Sequence, residues 1–248
     1  MKYSEPLIKA RLIRRYKRFL ADIELAAEVD FEGKKTKFIT IHTANTGSMT
    51  GCAVPGSNIW ISNSHNLKRK YLYSWELSTT QHKDRLIGVN TLLANKLVKE
   101  AIEKGVISEI GDFKNIETEV SYGAEKSRID LLVTQNNEQK CYIEVKNVTA
   151  SFELEVAAFP DAVTARGTKH LRELELMVAR GYRAIIFFCV QRDDINFFRV
   201  AGEIDPLYAQ TLKRVQENGV EVLAYGVHFN GKDSPREINL INKLVMTG

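Results

Sequence analysis

Cysteine is scarce in this chain of 248 residues. Its three cysteines, Cys52, Cys141 and Cys189, lie far apart and form no Cys-x-x-Cys pair. That spacing argues against a disulfide framework or a cysteine zinc site and fits reduced thiols in a cytoplasmic protein. Long apolar runs are also missing. None approaches the roughly 20 residues of a membrane-spanning helix, so no membrane partner is expected. The first residues lead straight into Arg11, Arg14, Arg15, Lys17 and Arg18, without the apolar stretch of a secretory leader. No Gly-Lys-Ser/Thr follows a glycine loop, so there is no Walker phosphate site. No helix-turn-helix is evident, which counts against operator reading in its usual mode.

Hydrophobic residues make up 44% and charged residues 27% of the chain, the balance of a soluble globular protein with a sizeable core. Acidic charge is short in the front of the chain. Residues 1–85 hold 15 Lys and Arg against 8 Asp and Glu, a net of +7; the remainder holds 20 against 23, a net of −3. A basic front on a slightly acidic back predicts that the front meets a polyanion.

The front reads as several short strands with glycine and proline turns between them. The stretch 10–25, Lys37–Thr43, Asn58–Ser62 and Lys70–Leu77 alternate or are rich in aromatic and branched residues. With no convincing helix, they predict a small barrel, OB-like, over residues 1–85. Arg14, Arg15, Lys17 and Arg18, near Tyr16 and Phe19, are candidates for a phosphate groove. Lys68, Arg69 and Lys70 precede Tyr71, Tyr73 and Trp75, joining charge to stacking surfaces. Most of these aromatics are expected in the core. The long polar loop His42–Cys52, with Asn45, Gly47 and Gly51, offers backbone N–H groups to a phosphate.

The back, residues 86–248, opens with an amphipathic helix over Val89–Lys104, with Leu92, Leu93, Leu97 and Ile102 inward and Gly105 as its stop. Strands follow at Glu117–Tyr122, Ser127–Val133 and Cys141–Asn147. A second helix spans Ala165–Arg180. Ala184–Val190 is a continuous apolar run, the mark of a strand buried on both faces. A last helix is expected near Pro206–Glu217 and a last strand at Val220–Tyr225.

Two of these strands carry charges that a core strand avoids. Asp130 lies in one; Glu144 and Lys146 lie in the next and share a face, being two apart. If Asp130 lies opposite Glu144, their Cβ atoms are roughly 5 Å apart and the carboxylates repel unless something sits between them. A divalent cation held by carboxylate oxygens answers that need. Pairing these two residues centres the turn on Asn137, so the connection should hold three or five residues, or carry a bulge beside Asp130.

An Asp, a hairpin's length of chain and then Glu-x-Lys resembles the PD-(D/E)xK nuclease signature, and helix, three strands, helix, strand matches that fold's αβββαβ core. The expected class is therefore α+β in two domains, an N-terminal OB-like β-barrel (1–85) and a C-terminal PD-(D/E)xK-like domain with a mixed sheet (86–248). Longer stretches are similar to the bacterial sugar fermentation stimulation protein family, SfsA. They include Arg14-Arg-Tyr-Lys-Arg-Phe-Leu-Ala-Asp22, Asn45-Thr-Gly-Ser-Met-Thr-Gly-Cys52, Lys68-Arg-Lys-Tyr71, Gly123-Ala-Glu-Lys-Ser-Arg-Ile-Asp130, Tyr142-Ile-Glu-Val-Lys146 and the run from Phe159 to Leu174. This resemblance implies DNA binding, a link to sugar-catabolic genes and a DNA/RNA nuclease activity.

On this reading Asp130 and Glu144 hold Mg²⁺ or Mn²⁺, and Lys146 orients water and offsets charge on the phosphate. A further acid is expected from Glu100 on the first helix or Glu119 on the first strand. Arg128, Arg166, Lys169 and His170 are expected on the substrate-facing edge, with Asp161 nearby. The partner is DNA or RNA. Two functions compete: a metal-dependent nuclease, and a DNA-binding regulator that keeps the fold without turnover.

Overall fold

The computed structural model describes residues 1–248 except 32, 81–84, 125–126, 232–233 and 248. Residues 125–126 of the glycine-led motif thus lie outside the described residues. The barrel strands are β1 (Ile8–Tyr16), β2 (Leu20–Phe31), β3 (Lys34–His42), β4 (Asn58–Asn63), β5 (Tyr73–Thr79) and β6 (Leu86–Gly88). Among the described residues their order is β3-β2-β1-β4-β5-β6, and a parallel contact of His42 with Ser74 joins β3 to β5 and closes the sheet. Alternation builds the inside: Leu12, Ile23, Ile41, Ile59, Ile61 and Trp75 are fully buried. Trp75 is therefore core, not a stacking surface. The mixed stretch 10–25 is two strands, turned by Lys17 and Arg18 at φ 47° and 62°.

The second sheet holds β7 (Phe113–Tyr122), β8 (Ser127–Gln135), β9 (Lys140–Val148), β12 (Arg183–Val190), β14 (Glu221–Asn230) and β15 (Glu237–Lys243). Its order is β15-β14-β12-β9-β8-β7, with β12 parallel to both β9 and β14. The apolar run of β12 is buried on both faces, as a central parallel strand requires. Helix α1 (Ala94–Glu103) covers one face. Helices α2 (Ala165–Ala179) and α3 (Pro206–Glu217) cover the other. Thr164 caps α2 through its hydroxyl on the Gly167 N–H, and Asp205 caps α3 on the Tyr208 N–H with Pro206 beginning the helix. A small third sheet, β10 (Ser151–Glu153), β11 (Val156–Phe159), β13 (Phe197–Val200) and β16 (Val245–Thr247), had no signal in the sequence long enough to read.

Three expectations shift. The expected helix Val89–Lys104 begins as a 3-10 turn over Thr91–Leu93, because the Asn90 side chain takes the Leu92 N–H. The phase changes, and Leu92 points out at 70% exposure. The strand expected at Lys70–Leu77 starts and ends later, at Tyr73–Thr79. The barrel sheet runs past residue 85, since β6 pairs with β5 and its Gly88 N–H bonds to the Gln191 carbonyl at 2.8 Å. Among the described residues no linker separates the two units. Leu7, Trp60, Leu77 and Leu86 from the barrel share one apolar core with α1 and the second sheet.

Candidate active site

Strands β8 and β9 form the hairpin that carries the site. Leu131 pairs with Ile143, Leu132 with Tyr142, Val133 with Cys141 and Thr134 with Lys140. That register sets Asp130 opposite Glu144, as expected. The Gln135 N–H closes on the Gln139 carbonyl at 2.9 Å, leaving Asn136, Asn137 and Glu138 as a three-residue loop. Glu138 takes the left-handed position that such a loop needs, at φ 66°.

Asp130 and Glu144 are not themselves a ladder pair. The Asp130 side chain takes the ladder's place: its Oδ2 accepts the Val145 N–H at 2.8 Å, and its Oδ1 accepts from Asn95 Nδ2 at 2.8 Å. Burial, then the negative charge of Glu144, push the Asp130 carboxyl up to about 6, against those hydrogen bonds and Lys146. Glu144 is 2% exposed. Burial alone would raise its pKa, but the hydrogen bond from His170 and the charge of Lys146 hold it below the usual carboxylate range.

Glu144 Oε1 takes Lys146 Nζ at 2.6 Å and also meets His170 Nδ1. His170 Nε2 faces the Arg166 guanidinium at 3.3 Å. That nitrogen must accept, so in the neutral ring the proton sits on Nδ1 and is aimed at Glu144. Lys146 Nζ lies 3.2 Å from the same Nδ1. His170 and Arg166 are four apart on α2, which brings both over the end of β9.

Among the described residues the second oxygen, Glu144 Oε2, is buried with no partner, and so are the hydroxyls of Tyr122, Tyr208 and Ser127. Charges of Glu144 add to burial in raising both tyrosine hydroxyls, so these two hydroxyls lie within its field. A buried carboxylate oxygen without a donor is costly. Two converging carboxylates with free oxygen capacity form a donor set for a hard divalent cation. Among the described residues no three His, Cys, Asp or Glu side chains are grouped as a ready metal cage. An ion at this pair would complete its shell with water or substrate oxygens.

The further acids fall differently. Glu100 pairs with the α-amine of Met1 and with Lys104, each at 2.7 Å, so its carboxylate is occupied away from Asp130. Helix α1 reaches the site through Asn95 instead, a residue with no charge to draw attention in the sequence. Glu119 stands across β7 from Asp130 but its side chain is exposed and outside this hydrogen-bond network. Glu173 on α2 was not anticipated; it is 2% exposed and accepts the Ala124 N–H at 3.0 Å. A Cβ on Gly123, whose φ is 75°, would sit 1.4 Å from Glu173 Oε2, so a side chain there would push the acid aside.

The basic residues of the front divide into groups. Arg15 donates to the carbonyls of Arg18, Asn45 and Gly47 at 2.6, 3.0 and 2.9 Å, and Arg18 donates to the Thr46 carbonyl at 3.2 Å. These two arginines hold the loop after β3. Asn45 is buried and its Oδ1 takes the Gly47 N–H. The loop's far side reaches Asp161 through the Ser48 N–H and hydroxyl at 3.2 and 2.8 Å. Arg14 pairs with Asp22 and lies 5.1 Å from the Tyr16 ring. Arg69 bonds Ser74, and Lys70 lies over Tyr71. Lys17, Lys68, Arg128 and Arg166 are exposed; Lys169 is half-buried.

The residue pattern at this site has relatives. A family model described as the sugar fermentation stimulation protein RE domain matches residues 92–233, and one described as the SfsA N-terminal OB domain matches residues 13–89. A curated sugar fermentation stimulation protein homolog of Thioalkalivibrio sulfidiphilus is 49% identical over 226 residues, covering 91% of each chain. The chain belongs to the sugar fermentation stimulation protein family. The structure of Pyrococcus furiosus SfsA in complex with Ca²⁺ superposes with a TM-score of 0.84 at 24% identity, over 100% of this chain and 98% of that one. The chain thus has a two-domain α+β fold with an N-terminal OB domain, matching that SfsA structure. No described helix of this SfsA-family chain is long and apolar enough to cross a membrane.

Proposed function

We propose that this chain is a divalent-metal-dependent nuclease that hydrolyses phosphodiester bonds of DNA or RNA. The observation that carries the reading is the buried Asp130–Glu144 pair with Lys146 on it and one Glu144 oxygen without a partner among the described residues. Asp130 and Glu144 would hold Mg²⁺ or Mn²⁺, a role consistent with the Ca²⁺ reported for the Pyrococcus furiosus relative. When bound, such an ion lowers the pKa of a coordinated water and polarises a phosphoryl oxygen. Lys146 is held at the pair by Glu144 and orients the attacking water while offsetting charge that grows on the phosphate. Arg166 sits above His170 at the exposed start of α2, placed to receive a phosphate oxygen. His170 fixes the Glu144 carboxylate from behind.

Nucleic acid reaches this site across the barrel. Arg11 and Lys37 have no hydrogen-bond or ion-pair partner among the described residues, unlike Arg14, Arg15 and Arg18. They line a cleft of about 390 Å³ with Lys9, Glu24 and Asn58. A second cleft of about 560 Å³ shares Arg11 and Asn58 with it. Phe38, next to Lys37, is 61% exposed and offers a stacking face.

Incubation of pure protein with labelled single- and double-stranded DNA and RNA tests the reading. Products are expected with Mg²⁺ or Mn²⁺ and none with EDTA. Binding without cutting under every metal would overturn it in favour of a regulator without turnover.

A further inference from the structure

Strand β7 contains a residue in a conformation that strands avoid. Glu119 has φ 56°, inside a ten-residue strand. The other non-glycine residues with positive φ among the described residues, such as Lys17, His65 and Glu138, all lie in connections between strands. A left-handed backbone is uncommon for any residue with a Cβ, and a site in mid-strand persists only when its surroundings enforce it.

The surroundings are specific. Thr118 pairs with Leu131 and Val120 with Ile129, yet Glu119 and Asp130, which face each other between these pairs, do not pair. The register is the same on both sides, so no residue has been inserted. What changes is the face. Ile116 packs in the core under α1, whereas Val120 and Tyr122 pack in the core under α2. On β8, Leu131 and Val133 belong to the α1 core and Ile129 to the α2 core. Residues an even number apart on a regular strand share a face. Both strands therefore turn over at the Glu119–Asp130 pair. Asp130 leaves the β7–β8 ladder there, and its carboxylate spans to the Val145 N–H and Asn95.

We propose that the left-handed backbone of Glu119 is a positioning device that turns Asp130 out of the ladder and presents it beside Glu144. The device works through the main chain, and the exposed Glu119 carboxylate, which has no partner among the described residues, is dispensable. Ile129, Val120 and Tyr122, seated under α2, hold the turn-over in place. The consequence for metal binding rests on the proposed nuclease site; the backbone device does not.

Three variants separate the possibilities. Glu119→Gly removes the carboxylate and suits a left-handed backbone. Glu119→Asn keeps a Cβ that tolerates that region. Glu119→Val puts a β-branched chain where it is least accepted. The readouts are Tm, Mn²⁺ affinity by calorimetry and hydrogen exchange at the Val145 amide. Glu119→Gly is expected to melt no lower than wild type and to bind Mn²⁺ within about threefold, since only the main chain matters. Glu119→Asn should follow it closely. Glu119→Val should melt at least about 2–4 °C lower, lose Mn²⁺ affinity roughly tenfold as Asp130 moves, and expose the Val145 amide. Loss of Mn²⁺ binding in Glu119→Gly would make the carboxylate a ligand and overturn the proposal. So would a Glu119→Val variant that matches wild type in Tm and Val145 protection. If wild type binds no Mn²⁺, the nuclease reading fails, while Tm and Val145 exchange still decide the device.

Discussion

Asp130 carries a clear electrostatic signature. Its folded pKa is raised to about 6 by burial and by Glu144, above the unfolded value of about 3.9. The unfolded chain therefore gives up this proton first as pH rises. Without metal, the native state is penalised progressively between about pH 4 and pH 6, and the penalty stays in full above that window, on the order of 3 kcal/mol. Asp130→Asn in EDTA should match wild type at pH 4 and exceed it by about 1–3 kcal/mol at pH 8; urea unfolding at the two pH values checks this. Adding Mn²⁺ at pH 8 should stabilise wild type and leave the variant unmoved. A variant less stable than wild type at pH 8 would contradict the like-charge account.

Loops and strands set which basic residues meet a ligand. Arg15 gives its hydrogen bonds to loop carbonyls, so Arg15→Ala should cost about 1–3 kcal/mol of stability, and Arg15→Lys should not restore it, because a single ammonium lacks the planar fork. Neither change should alter the slope of log K against log salt for nucleic-acid binding. Replacing Arg11 and Lys37 together should flatten that slope by about 1.4–1.8, because each phosphate contact releases roughly 0.7–0.9 of a counterion. Filter binding between 50 and 200 mM salt, a range over which such contacts change affinity by orders of magnitude, reads both. This division also marks what the sequence could carry. Asp130, Glu144 and Lys146 were legible because charges inside apolar strands are conspicuous, and the register was legible because a shared face fixes the turn. The arginines were legible as basic but not as clamps, since their partners are carbonyls some 30 residues on. Asn95 and Glu173 were hidden, because an amide or an acid on a helix looks like solvated surface until tertiary packing brings it to the strand. The left-handed Glu119 carries no sequence signal, glutamate being unremarkable in a strand and uncommon at positive φ.

At the scale of the molecule, the barrel and the second sheet are one body. Trp60 and Leu77 pack into the core beneath α1. A buried polar chain runs beside them: Ser62 to Glu76 at 2.7 Å, Glu76 to Asn90 at 2.9 Å, the Asn90 carbonyl to Gln191 at 3.2 Å, and Gln191 to Asn147. Asn147 adjoins Lys146, so the barrel supports the strand that carries the site. Trp60→Ala should cost about 3–5 kcal/mol and lower the stability of both units together, seen as one calorimetric transition that moves without splitting. Two separated transitions would contradict a shared core.

The nuclease reading depends most on Glu144, the buried acid with an oxygen left open. Wild type and Glu144→Ala, purified side by side and assayed on the same labelled strands with Mn²⁺, give the deciding comparison. Glu144→Ala should lose cleavage rate on the order of 10³-fold, the effect of several kcal/mol of lost charge stabilisation, with nucleic-acid binding kept. Equal rates would contradict the nuclease reading, because the cutting would then come from somewhere other than this site.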